Sequence, residues 1–494
     1  MKFTRVLAIS ITMLLVFTMV ALAAPLNGAT SKTLSTNYTL VNLGPTTATV
    51  NASYLKADGT AWTVSPENQS FTIAGNFGQK ILAQYLDPAM ASGQGSVVIS
   101  SDQPLGAVVQ IQARTPQVPS SGAYSGVTTP SQKYYAPQVF SKLPSAGGMQ
   151  NSQIAIQNTN TTAVTATVQF IPFPGIPGLS TYTNSDIQIQ PGASFLYDLS
   201  LEANLTSTNP TVTGWTGSAV ISVPAGSTIA AVINTFAGVN ALQTYNAFPA
   251  ENVGSVWSIP QFTSKLNNGL STPVIMQNLS GVDIPIGDVT LNCVAATGFT
   301  PATLTNTNAA VVPANGTFVF NPVGNAAYPN HWSGTCTVTS ATGKGMVGIV
   351  QMRKPGVNDE LAAYEAIPGL STDTRVVVPL ISKNQANGFA TAATIKNLSV
   401  SSPAPVKLTF TPSATYGGSQ TPVTFNATIP ANGNLILSQR FAGTPEIPNG
   451  WYGSLLVEPQ DAATAQPLAA LVQLTNTLAT MGDTFMAHIA FTLP

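Results

Sequence analysis

The sequence contains very little charge. Its 494 residues include only 17 basic residues (Lys or Arg) and 18 acidic residues (Asp or Glu). Charged residues are therefore 7% of the chain, against about 25% in an ordinary soluble domain. Binding to nucleic acid requires clustered Lys and Arg, and the sequence has no such cluster. We therefore expect no nucleic-acid partner. Because 44% of the residues are hydrophobic, the composition also differs from that of a disordered chain.

Histidine and cysteine each occur only twice. His331 and His488 are far apart in sequence and belong to no metal-binding spacing or nucleophile motif. The acidic residues are scattered singly, except for Asp359 and Glu360. The sequence therefore predicts a protein that is not an enzyme, with no catalytic residues, no metal site and no cofactor.

A long apolar run occurs only at the N-terminus. Lys2 and Arg5 precede an apolar segment that extends to Leu22, and an Ala-Leu-Ala pattern ends at Ala23. This order is typical of a secretory leader, so we predict a signal peptide over residues 1–24 and no membrane span after its cleavage. An uncleaved anchor is the alternative, since the run is only slightly shorter than the roughly 20 residues of a spanning helix.

The rest of the chain repeats a set of short phrases. The phrases LVN, IQN, MQN and IKN end at Asn42, Asn158, Asn278 and Asn397, which are successively 116, 120 and 119 positions apart. This spacing suits one independent domain per copy. We predict that each asparagine ends a strand by bonding neighbouring backbone.

A tryptophan recurs in the phrases GWTGS, HWSGT and GWYGS, as Trp215, Trp332 and Trp451. In the first copy the corresponding phrase is SGQGS, and we expect Gln94 at the position of the tryptophan. We predict a structural role, in which the tryptophan ring lies at the entrance to a core strand. The glycine that follows lets another backbone segment pass close to the strand. The alternative is an aromatic platform for sugar, which usually needs two or more exposed rings.

Apolar and polar residues alternate within each copy, as in Val423, Phe425, Ala427 and Ile429. Such alternation buries one face of a strand and leaves the other in water. The sequence predicts an all-β protein of four tandem immunoglobulin-like antiparallel β-sandwich domains after the signal peptide. The predicted domains are 25–130, which is the divergent copy, 131–252, 253–371 and 372–494.

The connections between copies are short, at residues 126–133, 252–255 and 370–374. Brief linkers restrict the bending of one domain relative to the next. We therefore predict an elongated, stiff rod.

Both cysteines lie in the third copy. Aligning the copies places Cys293 where Phe170 stands in the second and Cys336 where Ala219 stands. Both positions belong to the core, so in an exported protein we predict a disulfide. The same alignment predicts contacts for the pairs Phe170–Ala219 and Phe410–Leu455.

Ser-Lys pairs recur in the last three copies, with Lys142, Lys265 and Lys383. We predict that these lysines are solvated residues at strand starts. A Lys-to-Asn isopeptide bond is the alternative, although no acidic residue recurs with the pairs to promote it.

The chain resembles bacterial secreted or cell-surface proteins with immunoglobulin-like β-sandwich repeats. The resemblance rests on the apolar leader, the tandem repeats, the phrases IPxxxSK, IQN and GWxGS, and the high Thr, Ser and Asn content. The resemblance implies an extracellular adhesin, stalk, or layer or filament subunit. Because a nearly neutral surface resists association weakly, we expect a structural protein that self-associates in a cell-surface layer, sheath or fibre, or binds other surface proteins. The alternative is an adhesin or carbohydrate-binding rod with a polysaccharide ligand.

Overall fold

The computed structural model describes residues 14–20, 34–113, 120–145, 148–238, 241–354, 360–439, 446–476 and 485–493. These residues form an all-β structure of 36 strands in eight antiparallel sheets. Each sheet takes all of its strands from one of four consecutive stretches of the chain, which we call units 1 to 4.

Units 1 and 2 contain the first 18 strands. Unit 1 contains β1 (Leu14–Val20), β2 (Leu34–Asn42), β3 (Ala48–Lys56), β4 (Ser70–Ile73), β5 (Gln79–Ala83), β6 (Gly95–Ser101), β7 (Leu105–Ala113) and β8 (Ser121–Ser125). Unit 2 contains β9 (Lys133–Ser141), β10 (Leu143–Ser145), β11 (Gly148–Asn158), β12 (Val164–Pro172), β13 (Tyr182–Ile189), β14 (Ser194–Asp198), β15 (Trp215–Ser222), β16 (Ile229–Ala237), β17 (Ala241–Asn246) and β18 (Phe248–Pro249).

Units 3 and 4 contain the other 18 strands. Unit 3 contains β19 (Val256–Ser264), β20 (Val274–Asn278), β21 (Val289–Ala295), β22 (Thr303–Thr307), β23 (Thr317–Phe320), β24 (Trp332–Ser340), β25 (Met346–Lys354), β26 (Glu360–Glu365) and β27 (Ile367–Pro368). Unit 4 contains β28 (Arg375–Ser382), β29 (Phe389–Asn397), β30 (Ala404–Pro412), β31 (Val423–Ile429), β32 (Asn434–Ser438), β33 (Tyr452–Pro459), β34 (Leu468–Asn476), β35 (Phe485–Ile489) and β36 (Phe491–Leu493). Short helical turns lie at Pro66–Gln69, Gln84–Leu86, Leu199–Leu201, Ala250–Asn252 and Ala462–Thr464.

The four units share one sheet topology. In unit 2 a central sheet has the order β14, β11, β16, β17, and a flanking sheet has the order β13, β12, β15, β9, β18. The other central sheets are β5-β2-β7-β8, β23-β20-β25-β26 and β32-β29-β34-β35. The other flanking sheets are β4-β3-β6-β1, β22-β21-β24-β19-β27 and β31-β30-β33-β28-β36.

The two kinds of sheet differ in burial. The flanking strand β30 alternates buried and more exposed residues, as a strand with one wet face does. In contrast, all nine residues of the central strand β16 are buried. A strand buried along its whole length has other parts of the protein against both faces, so the central sheets lie inside the molecule.

The units close into a ring around the edge strands of the central sheets. β8 contacts β17, β17 contacts β26, β26 contacts β35, and β35 contacts β8. Between the first and last units, Ser125 Oγ donates to the Ile489 carbonyl at 3.1 Å and Ser454 Oγ donates to the Phe77 carbonyl at 2.8 Å.

The prediction of an elongated rod is therefore wrong. An apolar cluster that includes Val41 of unit 1 with Val377 and Leu456 of unit 4 joins the two ends of the chain. The connections are short as expected, but successive units pack side by side through their central edge strands, which brings unit 4 back against unit 1.

Candidate functional site

The three recurrent tryptophans lie in the interiors of their units. Trp215 and Trp332 are 0% exposed and Trp451 is 2% exposed, so no ring face is free to stack on a sugar. The indole of Trp215 donates to the Ser180 carbonyl at 3.3 Å, and that of Trp332 donates to the Pro301 carbonyl at 2.8 Å. The rings of Trp215 and Trp332 therefore each tie a loop to the interior of their unit.

The glycine that follows each tryptophan permits a close backbone approach. A Cβ added at Gly217 would lie 2.0 Å from the Ile171 carbonyl oxygen, and one at Gly334 would lie 2.2 Å from that of Val294. Contacts this short are sterically forbidden, so the phrase requires glycine at this position.

The placement of Gln94 at the tryptophan position is wrong by one residue. Gly95 pairs with Lys56 in the same register in which Gly217 pairs with Pro172, so Gly93 is the equivalent of Trp215. The ring of Trp62 lies beside Gly93, because a Cβ added at Gly93 would be 3.1 Å from the Cζ2 atom of Trp62. A tryptophan from another part of unit 1 thus fills the space, which repeat alignment alone does not reveal.

The recurrent asparagines join two turns in each unit. Asn158 Nδ2 donates to the carbonyls of Thr162, Ile189 and Gln190 at 2.8, 3.0 and 3.1 Å. Its Oδ1 accepts from the backbone N–H of Asn160 at 2.8 Å. The side chains of Asn42, Asn278 and Asn397 make corresponding bonds, and all four residues are 0% exposed.

The predicted disulfide is present between Cys293 and Cys336, which are directly paired across β21 and β24. The same cross-strand position holds the pairs Phe170–Ala219 and Phe410–Leu455. Because Cys293 replaces the phenylalanine, Phe262 packs against Trp332 in unit 3, with ring centroids 6.0 Å apart.

The lysines of the Ser-Lys pairs follow the first strand of units 2, 3 and 4 rather than starting one, and Lys383 is buried at 6% exposure rather than solvated. Lys265 Nζ donates to the carbonyls of Asn325 and Tyr328 at 2.8 and 2.7 Å. The Asn278 amide donates to backbone carbonyls instead. These contacts are hydrogen bonds that close a loop of unit 3, and they do not bring Lys265 to Asn278.

The repeated Gly-Ser phrase contacts the next unit around the ring. Ser96 Oγ donates to the Gly192 carbonyl at 3.0 Å, and Ser218 Oγ donates to the Asn315 carbonyl at 2.7 Å. Ser454 makes the corresponding bond across the closing seam. The acceptors Phe77, Gly192 and Asn315 lie in the turns that precede β5, β14 and β23, which are equivalent in their units. The repeated phrases therefore form the seams between units as well as their cores.

A different polar contact occupies the seam between units 3 and 4. Lys396, buried on β29, donates through Nζ to the Cys336 carbonyl at 2.7 Å. Burial lowers the pKa of this amine to about 7. Lys396 thus joins β24, which carries Cys336, to the central sheet of unit 4, and its lowered pKa favours the neutral amine.

A cavity of about 280 Å³ lies where the four central edge strands end. Ser125, Asn246, Glu365 and Ile489, one from each unit, line it. Asn246 bridges its neighbours, because its Nδ2 donates to the Ser125 carbonyl at 2.9 Å and its backbone N–H donates to Glu365 Oε1 at 2.5 Å. Burial raises the pKa of the Glu365 carboxyl to about 7. We call this cavity the axial pocket.

Glu365→Gln is expected to change how stability depends on pH. The folded-state pKa of Glu365 is about 7 against an ordinary value of 4.5, so the wild type loses stability as pH rises between these values. The loss amounts to about 3 kcal/mol. Glutamine does not titrate and keeps an acceptor for the Asn246 N–H. Relative to the wild type, the variant should gain about 3 kcal/mol in urea unfolding between pH 4.5 and pH 8.

The control for this prediction is Glu251→Gln, which replaces an exposed glutamate of the same pocket. We expect it to leave the slope of stability against pH unchanged. Parallel curves for wild type and Glu365→Gln would show that Glu365 is not the titrating group.

The two histidines remain apart in the fold. His488 is buried on β35, where burial lowers its pKa to about 4, whereas His331 lies in the turn before β24. In the described part of the chain, no three His, Cys, Asp or Glu residues group so as to hold a metal ion. Among the same residues, no helix is long and apolar enough to cross a membrane.

A larger cavity, of about 570 Å³, lies between units 1 and 4. Amide side chains line it from both units, including Gln110 and Asn37 from unit 1 and Asn387 from unit 4. Tyr85 and Tyr452 add aromatic surface. This lining suits a neutral ligand that is rich in hydroxyl groups.

No protein-family model matches the chain, and no curated protein is similar to it.

Proposed function

We propose that this chain is a non-enzymatic extracellular structural protein that associates with copies of itself in a cell-surface layer, sheath or fibre. The observation that carries the proposal is a pair of exposed apolar patches on a surface that has little charge. Val282, Ile286 and Val311 of unit 3 are 52, 63 and 45% exposed. A bridge between Ile284 and Val312 places the segments that carry these side chains next to each other, and exposed apolar surface of this kind marks interaction sites.

The second patch consists of Ile81, Tyr85 and Leu86 of unit 1. Units 1 and 3 are not neighbours in the ring. A contact between one patch and the other on a second copy is heterologous, and repeated heterologous contacts give open chains or rings rather than a closed pair. This geometry supports a fibre or a layer.

The proposal includes export and the domain type. Residues 1–24 act as a cleaved signal peptide, and the disulfide suits an oxidising compartment. The segments 25–130, 131–252, 253–371 and 372–494 are four immunoglobulin-like domains. Among the eight main strands of unit 2, the second (β11) pairs with the fifth (β14) and the third (β12) pairs with the sixth (β15). These two pairs match the B–E and C–F pairs of an immunoglobulin sandwich, whereas the first strand (β9) pairs with the sixth and the seventh (β16) pairs with the second, in place of the A–B and F–G pairs.

Sedimentation velocity on residues 25–494 tests self-association. We expect polymers that grow with concentration and persist in high salt, because the contacts are apolar. The double variant Val282→Lys/Ile286→Lys should shift the protein to monomers. Val400→Lys, at an apolar residue that is 79% exposed in unit 4, is the matched control and should still polymerise. Monomers of the parent chain at every concentration would refute the proposal.

The second candidate function is an adhesin that binds polysaccharide. The cavity between units 1 and 4 favours it, because amides and aromatic rings together are suited to sugar hydroxyls and ring faces. A glycan screen on residues 25–494 tests this function. Binding that Tyr452→Ala abolishes would support it, and absence of any bound glycan would refute it.

A further inference from the structure

The first strand of unit 1 comes from the predicted signal peptide. β1 pairs with β6, with Thr18 opposite Val97, in the same register in which β9 pairs with β15, with Ala136 opposite Ala219. β19 and β28 occupy this place in units 3 and 4. Residues 14–20 therefore fill a position that every unit needs, and we call it the strand slot of unit 1.

Cleavage near residue 24 removes the strand that fills this slot. The edge of β6 then loses its ladder partner along Gly95–Ser101. The slot adjoins a seam, because its equivalents β9, β19 and β28 contact the central sheet of the next unit, at β20 and β25, at β29 and β34, and at β2 and β7. The central sheet of unit 2 contributes Ala155 and Val232 to the apolar cluster of the unit 1 core. An open strand edge beside apolar surface is a template for adding a strand from another chain.

The residues that remain before β2 carry the sequence mark of a first strand. In units 2, 3 and 4 the first strand ends at the serine of a Ser-Lys pair, and Ser31-Lys32 repeats that pair in unit 1. We call residues 25–33 the N-terminal arm. Up to Ser31 the arm has seven residues, one or two fewer than the eight or nine residues of β9, β19 and β28.

The connection from the Ser-Lys pair of the arm to β2 is shorter than in the other units. The lysine of the pair precedes the landmark asparagine by 16, 13 and 14 positions in units 2, 3 and 4, whereas Lys32 precedes Asn42 by only 10. That interval must carry the chain from the flanking sheet to the central sheet. Shortened connections of this kind favour exchange of the strand between copies.

We propose that the N-terminal arm of one copy enters the strand slot of a second copy, so that exchanged first strands link the copies. This inference rests on the proposed self-association and adds a second contact, which acts together with the apolar patches so that loss of either one leaves monomers. Because each copy offers one arm and one slot, the link is head to tail and extends into a fibre unless it closes into a ring.

Lengthening the connection tests the proposal. Six residues, Leu-Pro-Ser-Ala-Gly-Gly from the unit 2 connection, are inserted between Lys32 and Thr33 of the 25–494 chain, which raises the interval to the 16 positions of unit 2. The arm then reaches its own slot, and we expect sedimentation velocity to find monomers where the parent forms polymers. The same insertion after the exposed Gly175 is the control and should leave the polymers intact.

The uncleaved chain gives a second test with no insertion. Residues 1–494, purified without export, keep β1 in the slot and should be monomeric, and Val16→Pro should restore polymers by disrupting that strand. Polymers of the parent that persist in both the lengthened and the uncleaved chains would overturn strand exchange while self-association stands. A parent chain that never polymerises would overturn the proposed function itself. Far-UV circular dichroism checks that each variant is folded.

Discussion

Replacing both Cys293 and Cys336 by alanine is expected to lower the free energy of unfolding by about 4 kcal/mol. The disulfide closes a loop of 43 residues, and the chain-entropy estimate for such a loop has this size. Both side chains are also buried, at 3 and 1% exposure, so truncation removes packing as well. Urea unfolding followed by circular dichroism measures the change.

The chain itself provides a matched control for the disulfide. Unit 2 has Phe170 and Ala219 at the same cross-strand position and Val139 where unit 3 has Phe262, so Cys293→Phe/Cys336→Ala combined with Phe262→Val copies a pair and a neighbour that this topology already accommodates. The copied pair removes the covalent link but restores apolar volume, so we expect it to lose less stability than the alanine pair. An alanine pair as stable as the wild type would show that the link does not stabilise the fold.

Much of the fold follows from local sequence. Alternating residues such as those of β30 predict strands with one wet face, and the repeat alignment places Cys293 opposite Cys336 in the correct register. Side-chain alternation fixes which face each residue occupies, and duplication carries that register from one unit to the next. These relationships depend on short stretches of chain, so the sequence alone makes them visible.

The ring depends on a signal that alternation does not carry. The central strands contain runs such as IAAVINTFA in β16 and LAALVQLTN in β34, in which apolar residues fall on both faces. Continuous apolar runs indicate a strand covered on both sides. Their presence in every copy favours a packed assembly over a rod. The axial pocket was not predictable in the same way, because Ser125, Asn246, Glu365 and Ile489 differ in chemistry and meet only when the ring closes.

Asn278→Asp is expected to destabilise the protein by about 4 kcal/mol, because it preserves the shape of a buried side chain and removes its donors. Asn278 Nδ2 donates to the carbonyls of Val282, Val312 and Pro313 at 2.7, 3.0 and 3.1 Å. A carboxylate would face three carbonyl oxygens with no donor, and each unsatisfied buried group costs about 1–3 kcal/mol. Urea unfolding at pH 7 measures the loss.

The pH dependence of this variant separates a lost donor from a general packing defect. Protonation of the new carboxyl restores one O–H donor and removes the buried charge, so the deficit should shrink as the pH falls toward 4. Asn292→Asp, on the exposed face of β21, is the control and should change stability by less than about 0.5 kcal/mol. A deficit for Asn278→Asp that stays constant with pH would contradict the donor role. Since equivalent asparagines join the same two turns in all four units, the effect should recur in Asn158→Asp and Asn397→Asp.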